Sequence, residues 1–122
     1  MKKIYFLLLL NSVVSIAQTQ IGSAIYGRLR NDRSGWSISL SSDGNIVAIG
    51  APAHTPDYSA GVWNAGQVRI LKNVSRVWTQ IGSDILGVRK AQGFGVIVSL
   101  SWDGNVVAVG ELNYGSITRD CV

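Results

Sequence analysis

Few side chains in this sequence can do chemistry, and their spacing narrows what they could do. The single histidine, His54, precedes Asp57 and Tyr58 in the segment APAHTPDYSAG. A histidine near a carboxylate can act as a general base, but only with a positioned partner and a pocket. No G-x-S-x-G elbow and no Walker loop accompanies it. Gly93-Phe94-Gly95 lacks the G-x-G-x-x-G spacing of a dinucleotide loop. The expectation is an ordinary solvent-exposed loop histidine, no catalytic residue and no cofactor. One histidine and one cysteine, Cys121, leave no His-rich metal cluster, no Cys-based zinc site and no internal disulfide.

Binding chemistry has better candidates. Of the four tryptophans, Trp36 and Trp78 fall at strand positions and are expected in the core. Trp63 lies in a long loop, and loops on rigid scaffolds carry function. His54, Asp57, Tyr58 and Trp63 therefore form the candidate ligand-contact loop, suited to an extracellular protein or a glycan. Arg28, Arg30 and Arg33, with Asp32 among them, make a basic connection echoed by Arg89 and Lys90. These read as a solvated loop with gatekeeper charges beside sticky strands. The formal charge is +4, but Lys2 and Lys3 lie in the leader; the remainder, 9 − 7 = +2, is too weak and scattered for nucleic acid. Asn73-Val74-Ser75 matches the N-glycosylation acceptor, which matters in a eukaryotic source.

The elements that position these residues begin after a leader. Met1-Lys2-Lys3 is a short positive start, Ile4 to Leu10 is unbroken apolar sequence, and Ser15-Ile16-Ala17 places small residues before a cut at Gln18. These are the three parts of a secretory signal peptide. Spanning a membrane takes about 20 predominantly apolar residues, and Asn11, Ser12 and Ser15 interrupt this stretch early. Residues 1–17 are thus expected to be a cleaved signal helix. The rest would be secreted or held at the cell surface, with no membrane span after cleavage.

One repeat organises the remainder of the chain. Residues 19–50 and 79–110 align without a gap at an offset of 60, and 17 of their 32 positions are identical. In the first copy Trp36, Ile38 and Leu40 alternate with serines, the period-two pattern of a half-buried strand. In the second copy Ile97 replaces Ser37, so that strand is expected to be the more buried one. Asp43-Gly44 and Asp103-Gly104 predict type I′ hairpin turns. The returning runs NIVAIG and NVVAVG suit strands covered on both faces. Residues 51–66 read as a loop, and QVRILK and VWTQI as two further strands around a turn at Asn73–Arg76. Four short antiparallel strands in a gap-free repeat indicate a propeller blade.

At these residues the chain resembles the FG-GAP repeat family, the blade type of integrin-alpha-like β-propellers, in its secreted bacterial form. The resemblance rests on Phe94-Gly95, on Gly50-Ala51-Pro52, on the core S-L-S-x-D-G-N-x-V-A-x-G at Ser39–Gly50 and Ser99–Gly110, and on W-T-Q-I-G at Trp78–Gly82. It covers nearly all of residues 19–112. It implies a non-catalytic extracellular scaffold for adhesion or recognition. Calcium-binding members carry alternating acidic residues in a loop, whereas each turn here has one carboxylate, Asp43 or Asp103, against the six to eight oxygens calcium takes. No calcium is expected there.

The expected fold is therefore all-β: an incomplete β-propeller of four-stranded antiparallel blades, with an outer strand near Thr19–Ala24, a whole blade near Gly35–Ser83 and half a blade near Phe94–Gly110. Residues 113–122 leave the repeat and read as an irregular tail, as in a truncated or frameshifted end. Open β-edges and an exposed blade face imply self-association or completion by other propeller repeats. The leading functional expectation is an exported, non-enzymatic scaffold for surface binding or adhesion. The alternatives are a truncated accessory domain of a larger secreted enzyme and a fragment without independent function.

Overall fold

A computed structural model describes residues 18–112; the expected leader at 1–17 and the tail at 113–122, with Cys121, lie outside the described residues. Among those described there is no helix, and seven strands form two antiparallel sheets. β1 (Ser37–Leu40), β2 (Ile46–Ala51), β3 (Gln67–Val74) and β4 (Val77–Gln80) pair in that order, and β5 (Ile85–Leu86) extends the sheet along β3. β6 (Ile97–Leu100) and β7 (Val107–Gly110) form a separate hairpin. The first four strands come where alternation and turn chemistry predict them, in up-and-down order.

Register assigns each residue to a face. Ile38 lies opposite Ile49, Leu40 opposite Val47, and Val47 opposite Leu71. These define a front face. Ser39 lies opposite Ala48, Ala48 opposite Ile70, and Gly50 opposite Val68. These define a back face. The β6–β7 hairpin has the same two faces at an offset of 60, because Val98 pairs with Val109 and Ser99 with Ala108.

The front of the hairpin packs on the back of the larger sheet. Ala48, Val68 and Val98 are buried together, with Ile70, Phe94, Leu100, Val107 and Val109 packed around them. A smaller cluster on the front face joins Val47, Ile49 and Leu71 to Ile25 and Trp78. Two glycines let the repeats approach. A Cβ on Gly50 would run into the Gly95 carbonyl oxygen and Ser37 Oγ, and one on Gly66 into the backbone of Phe94. Polar bonds fix the register between the sheets. Ser37 Oγ donates to Gly95 O at 2.7 Å, Leu100 N donates to Ser39 Oγ at 2.9 Å, and Ser42 N donates to Trp102 O at 3.0 Å.

Several expectations change. Trp36 is 59% exposed and Ile38 60%, because the front face of β1 is uncovered and the serine face is the one packed against β6. Ile97 is 65% exposed, the opposite of the expected extra burial, because it lies on the outward back face of the hairpin. Thr19–Ala24 is not a strand. Its repeat counterpart Thr79-Gln80 pairs with β3, and among the described residues no strand occupies the corresponding place beside residues 19–24. The segment instead lies on the sheet, with Trp78 Nε1 donating to Ile21 O at 3.1 Å.

The Asp-Gly turns are not two-residue type I′ turns. Only the glycine has positive φ, 70° at Gly44 and 74° at Gly104. Ser41 N donates to Ile46 O and Gly44 N to Ser41 O, giving a four-residue loop around a tight turn. Asp43 accepts from Ser41 Oγ at 2.6 Å and from Asn45 N at 3.0 Å. The Ser41 hydroxyl, then the Asn45 amide, hold its carboxyl down to about 2. Asp103 repeats the arrangement with Ser101 and Asn105, and its carboxyl is lowered likewise. The two-residue turn with positive φ at both positions is instead Ser75-Arg76, at 51° and 68°, between β3 and β4.

Candidate functional site

The loops at one end of the sheets bring together segments 28–36, 51–66 and 88–94. Each is shaped by a side chain that accepts from backbone amides. Asp32 is 4% exposed. It accepts from Arg28 N at 2.8 Å, Leu29 N at 3.2 Å and Ser34 N at 2.9 Å. At the equivalent repeat position Gln92 Oε1 accepts from Val88 N at 2.9 Å and Arg89 N at 3.1 Å. A carboxylate oxygen in one copy and an amide oxygen in the other tie the same turn. The middle loop is tied to both neighbours. Ala53 N donates to Asp32 O, Ala91 N to Trp63 O, and Phe94 N to Ala65 O.

Between these loops lies a cleft of about 570 Å³ lined by Asn31, Arg33, Trp36, Pro52, Ala53, Asn64 and Ala91. That volume falls in the range of small-molecule sites, ~300–1,000 Å³. Among the described residues six non-glycines have positive φ, and four of them, Asn31 (66°), Arg33 (57°), Asn64 (52°) and Ala91 (55°), line this cleft. Such backbone costs on the order of 1–3 kcal/mol per residue and gathers at ligand-contacting sites. The Arg33 guanidinium lies 5.4 Å from the Trp36 ring centroid, and Lys90 Nζ lies 5.2 Å from that of Trp63. Both are within cation–π reach, which holds each cation over an indole. The cleft thus offers an indole, a guanidinium and two carboxamides, Asn31 and Asn64, groups suited to stacking on and hydrogen-bonding a polar ligand.

The four residues predicted for ligand contact divide. Tyr58 and Trp63 are 65% and 50% exposed, and Trp63 Nε1 donates to Tyr58 O at 3.4 Å. Trp63 sits beside the cleft, one residue from Asn64. Asp57 is exposed, does not line the cleft, and is committed to its own turn, accepting from Ser59 N, Ser59 Oγ and Ala60 N at 2.8, 2.6 and 3.1 Å. The Ser59 hydroxyl first, then these amides, lower its carboxyl.

His54 is corrected outright. It is 6% exposed, not solvent-exposed, because His54 N donates to Ala51 O and Gly66 N to His54 O, folding the loop over it. Its Nδ1 is buried without a hydrogen bond, 3.9 Å from Asp32 Oδ2. Burial lowers its proton affinity, and the Asp32 carboxylate works in the opposite direction. No hydrogen bond joins His54 to Asp57.

Sequence reasoning missed Asn31, Asn64 and Ala91 as site residues. The one visible signal was that Asn31 and Asn64 are residues that tolerate positive φ. It also read Arg33 as a solvated gatekeeper and Trp36 as core, although the two are stacked at the cleft. Among the described residues no group of three or more His, Cys, Asp or Glu side chains converges to hold a metal ion. Compared with protein-family models and with curated proteins, the sequence matches none.

Proposed function

We propose that this chain is an exported, non-enzymatic binding scaffold of the FG-GAP β-propeller type, whose stacked sheets are successive blades. Its loop-end cleft would contact an extracellular glycan or protein for adhesion or recognition. The observation that carries the reading is the clustering of strained backbone: four of six such non-glycine residues surround one cleft that also holds the Arg33–Trp36 stack. The blade reading draws its support from the repeat offset of 60 and from the face-to-face packing of the two copies.

The test is a binding screen of the folded chain against polysaccharides and matrix proteins, followed by Trp36→Ala. Trp36 is 59% exposed, so its removal leaves the core intact. Loss of a buried aromatic contact typically weakens binding ~10-fold or more. Absence of any binding by folded protein, or binding indifferent to Trp36→Ala, would refute the cleft as the contact site.

A further inference from the structure

The packing inside the chain is head-to-tail: the front of repeat two sits on the back of repeat one. Among the described residues, one front, on β1, and one back, on β6–β7, therefore have no sheet packed against them. The unmated front carries Ile38 and Leu40, 60% and 55% exposed, beside a groove of about 390 Å³ whose walls include Val47, Ile49 and Ile25. The unmated back carries Ile97 and Val106, 65% and 64% exposed, with exposed Ser99 and Ala108. At an offset of 60, Ile38 and Leu40 are the counterparts of Val98 and Leu100, while Ser99 and Ala108 are the counterparts of Ser39 and Ala48. Those counterparts are already in contact inside the chain, with Val98 7% exposed and Ala48 fully buried.

We propose that the β1 front face is a docking surface for a second copy of this chain, which seats its β6–β7 back face against Ile38 and Leu40 as the back of repeat one seats Val98 and Leu100; Val47 and Ile49, the counterparts of Val107 and Val109, are already covered by Ile25 and Trp78. The occupant is specified because the complementary surface is carried by the same chain. The polar detail carries over as well. Leu100 N donates to Ser39 Oγ at 2.9 Å within the chain; the counterpart pair, Leu40 N of one copy and Ser99 Oγ of the next, supplies one hydrogen bond across the interface. The match is partial: Ile97 in place of Ser37 replaces a hydroxyl bond to a carbonyl with apolar contact, Ser34 stands at the position of Phe94, and the two-stranded back of β6–β7 has no described counterpart of Val68 and Ile70. Such a heterologous contact leaves a free front and a free back at each step, so it builds rings or open stacks, not closed two-fold dimers. The contact rests on the packing between the repeats and holds whether or not the loop cleft takes a ligand.

The test uses the full chain expressed with its own leader, and two variants. Ile38→Lys blocks the front and Ala108→Arg blocks the back. Both positions are exposed, so both variants retain the wild-type circular-dichroism spectrum. Sedimentation is expected to show concentration-dependent association of the wild type, and each variant alone weakened ~10-fold or more. Mixing the two variants restores a complex that stops at one-to-one, because each contributes its single intact face. Hydrogen exchange at Leu40 N slows on association. A wild type that stays monomeric at about millimolar concentration, where even weak contacts register, overturns the proposal. So does one variant losing association while the other keeps it, undiminished association of both variants, or a mixture that does not associate.

Discussion

Val98 and Ile38 occupy the same repeat position, so truncating each to alanine isolates what the neighbouring sheet contributes. Val98 is 7% exposed against Ala48 and Val68. Its truncation removes two carbons, worth roughly 1.6 kcal/mol at ~0.8 kcal/mol per buried carbon. The cavity left in a close-packed junction raises the cost to about 2–3 kcal/mol. Ile38 loses three carbons, worth roughly 2.4 kcal/mol if buried, but it is 60% exposed. About 40% of that figure, roughly 1 kcal/mol, is at stake, with no enclosed cavity. At ~4–8 °C per kcal/mol for a domain of this size, Val98→Ala lowers Tm by roughly 8–24 °C and Ile38→Ala by roughly 4–8 °C. Urea and thermal unfolding followed by tryptophan fluorescence, at a concentration too low for association, measure both. Equal losses, or a larger loss at Ile38, would show that the two repeats are not packed front to back.

The loops supply two further expected outcomes. Burial holds His54 below the ordinary imidazole value, so the unfolded chain takes up that proton more readily than the folded one. Stability from this group is therefore level above about pH 6.5 and is lost as pH falls below it. Urea midpoints at about pH 8 and about pH 5.5 should differ in the wild type and converge in His54→Gln; an unchanged difference in the variant would exclude His54 as the cause. Asp32→Ala removes the acceptor of three part-buried backbone amides, at about 1–3 kcal/mol for each that is buried and left unpaired, and is expected to cost about 1–3 kcal/mol in all, since water reaches the exposed Arg28 and Leu29. Asp32→Asn is expected to be much milder, since an amide oxygen already does the same work at Gln92; equal losses in chemical denaturation would show that charge, not acceptor geometry, is what the turn needs.

The order of β1 to β4 was legible because alternation and turn residues are local signals; β5, two residues long, carries no such alternation. Which face is covered was not legible. Trp36, Ile38 and Leu40 form an apolar face, and one copy of the repeat gives no information on whether a neighbour covers it. In repeat two the corresponding face meets the back of repeat one; in repeat one it meets solvent. The misplacement of Ile97 has the same origin. His54 was misread because no periodicity marks a loop residue tucked under by its own backbone bonds. The Asp32 and Gln92 ties were hidden because the two copies use different residue types for one acceptor oxygen. The cleft could be found only once three loops, distant in sequence, were placed side by side.

The directional stacking of the repeats also bears on how such a chain can grow. An in-frame duplication of 60 residues inserts one unit whose two surfaces mate with those already present. Gene length can then change in whole modules while both ends of the array keep their chemistry. A change of any other size leaves a seam where serine and aliphatic rows fall out of step.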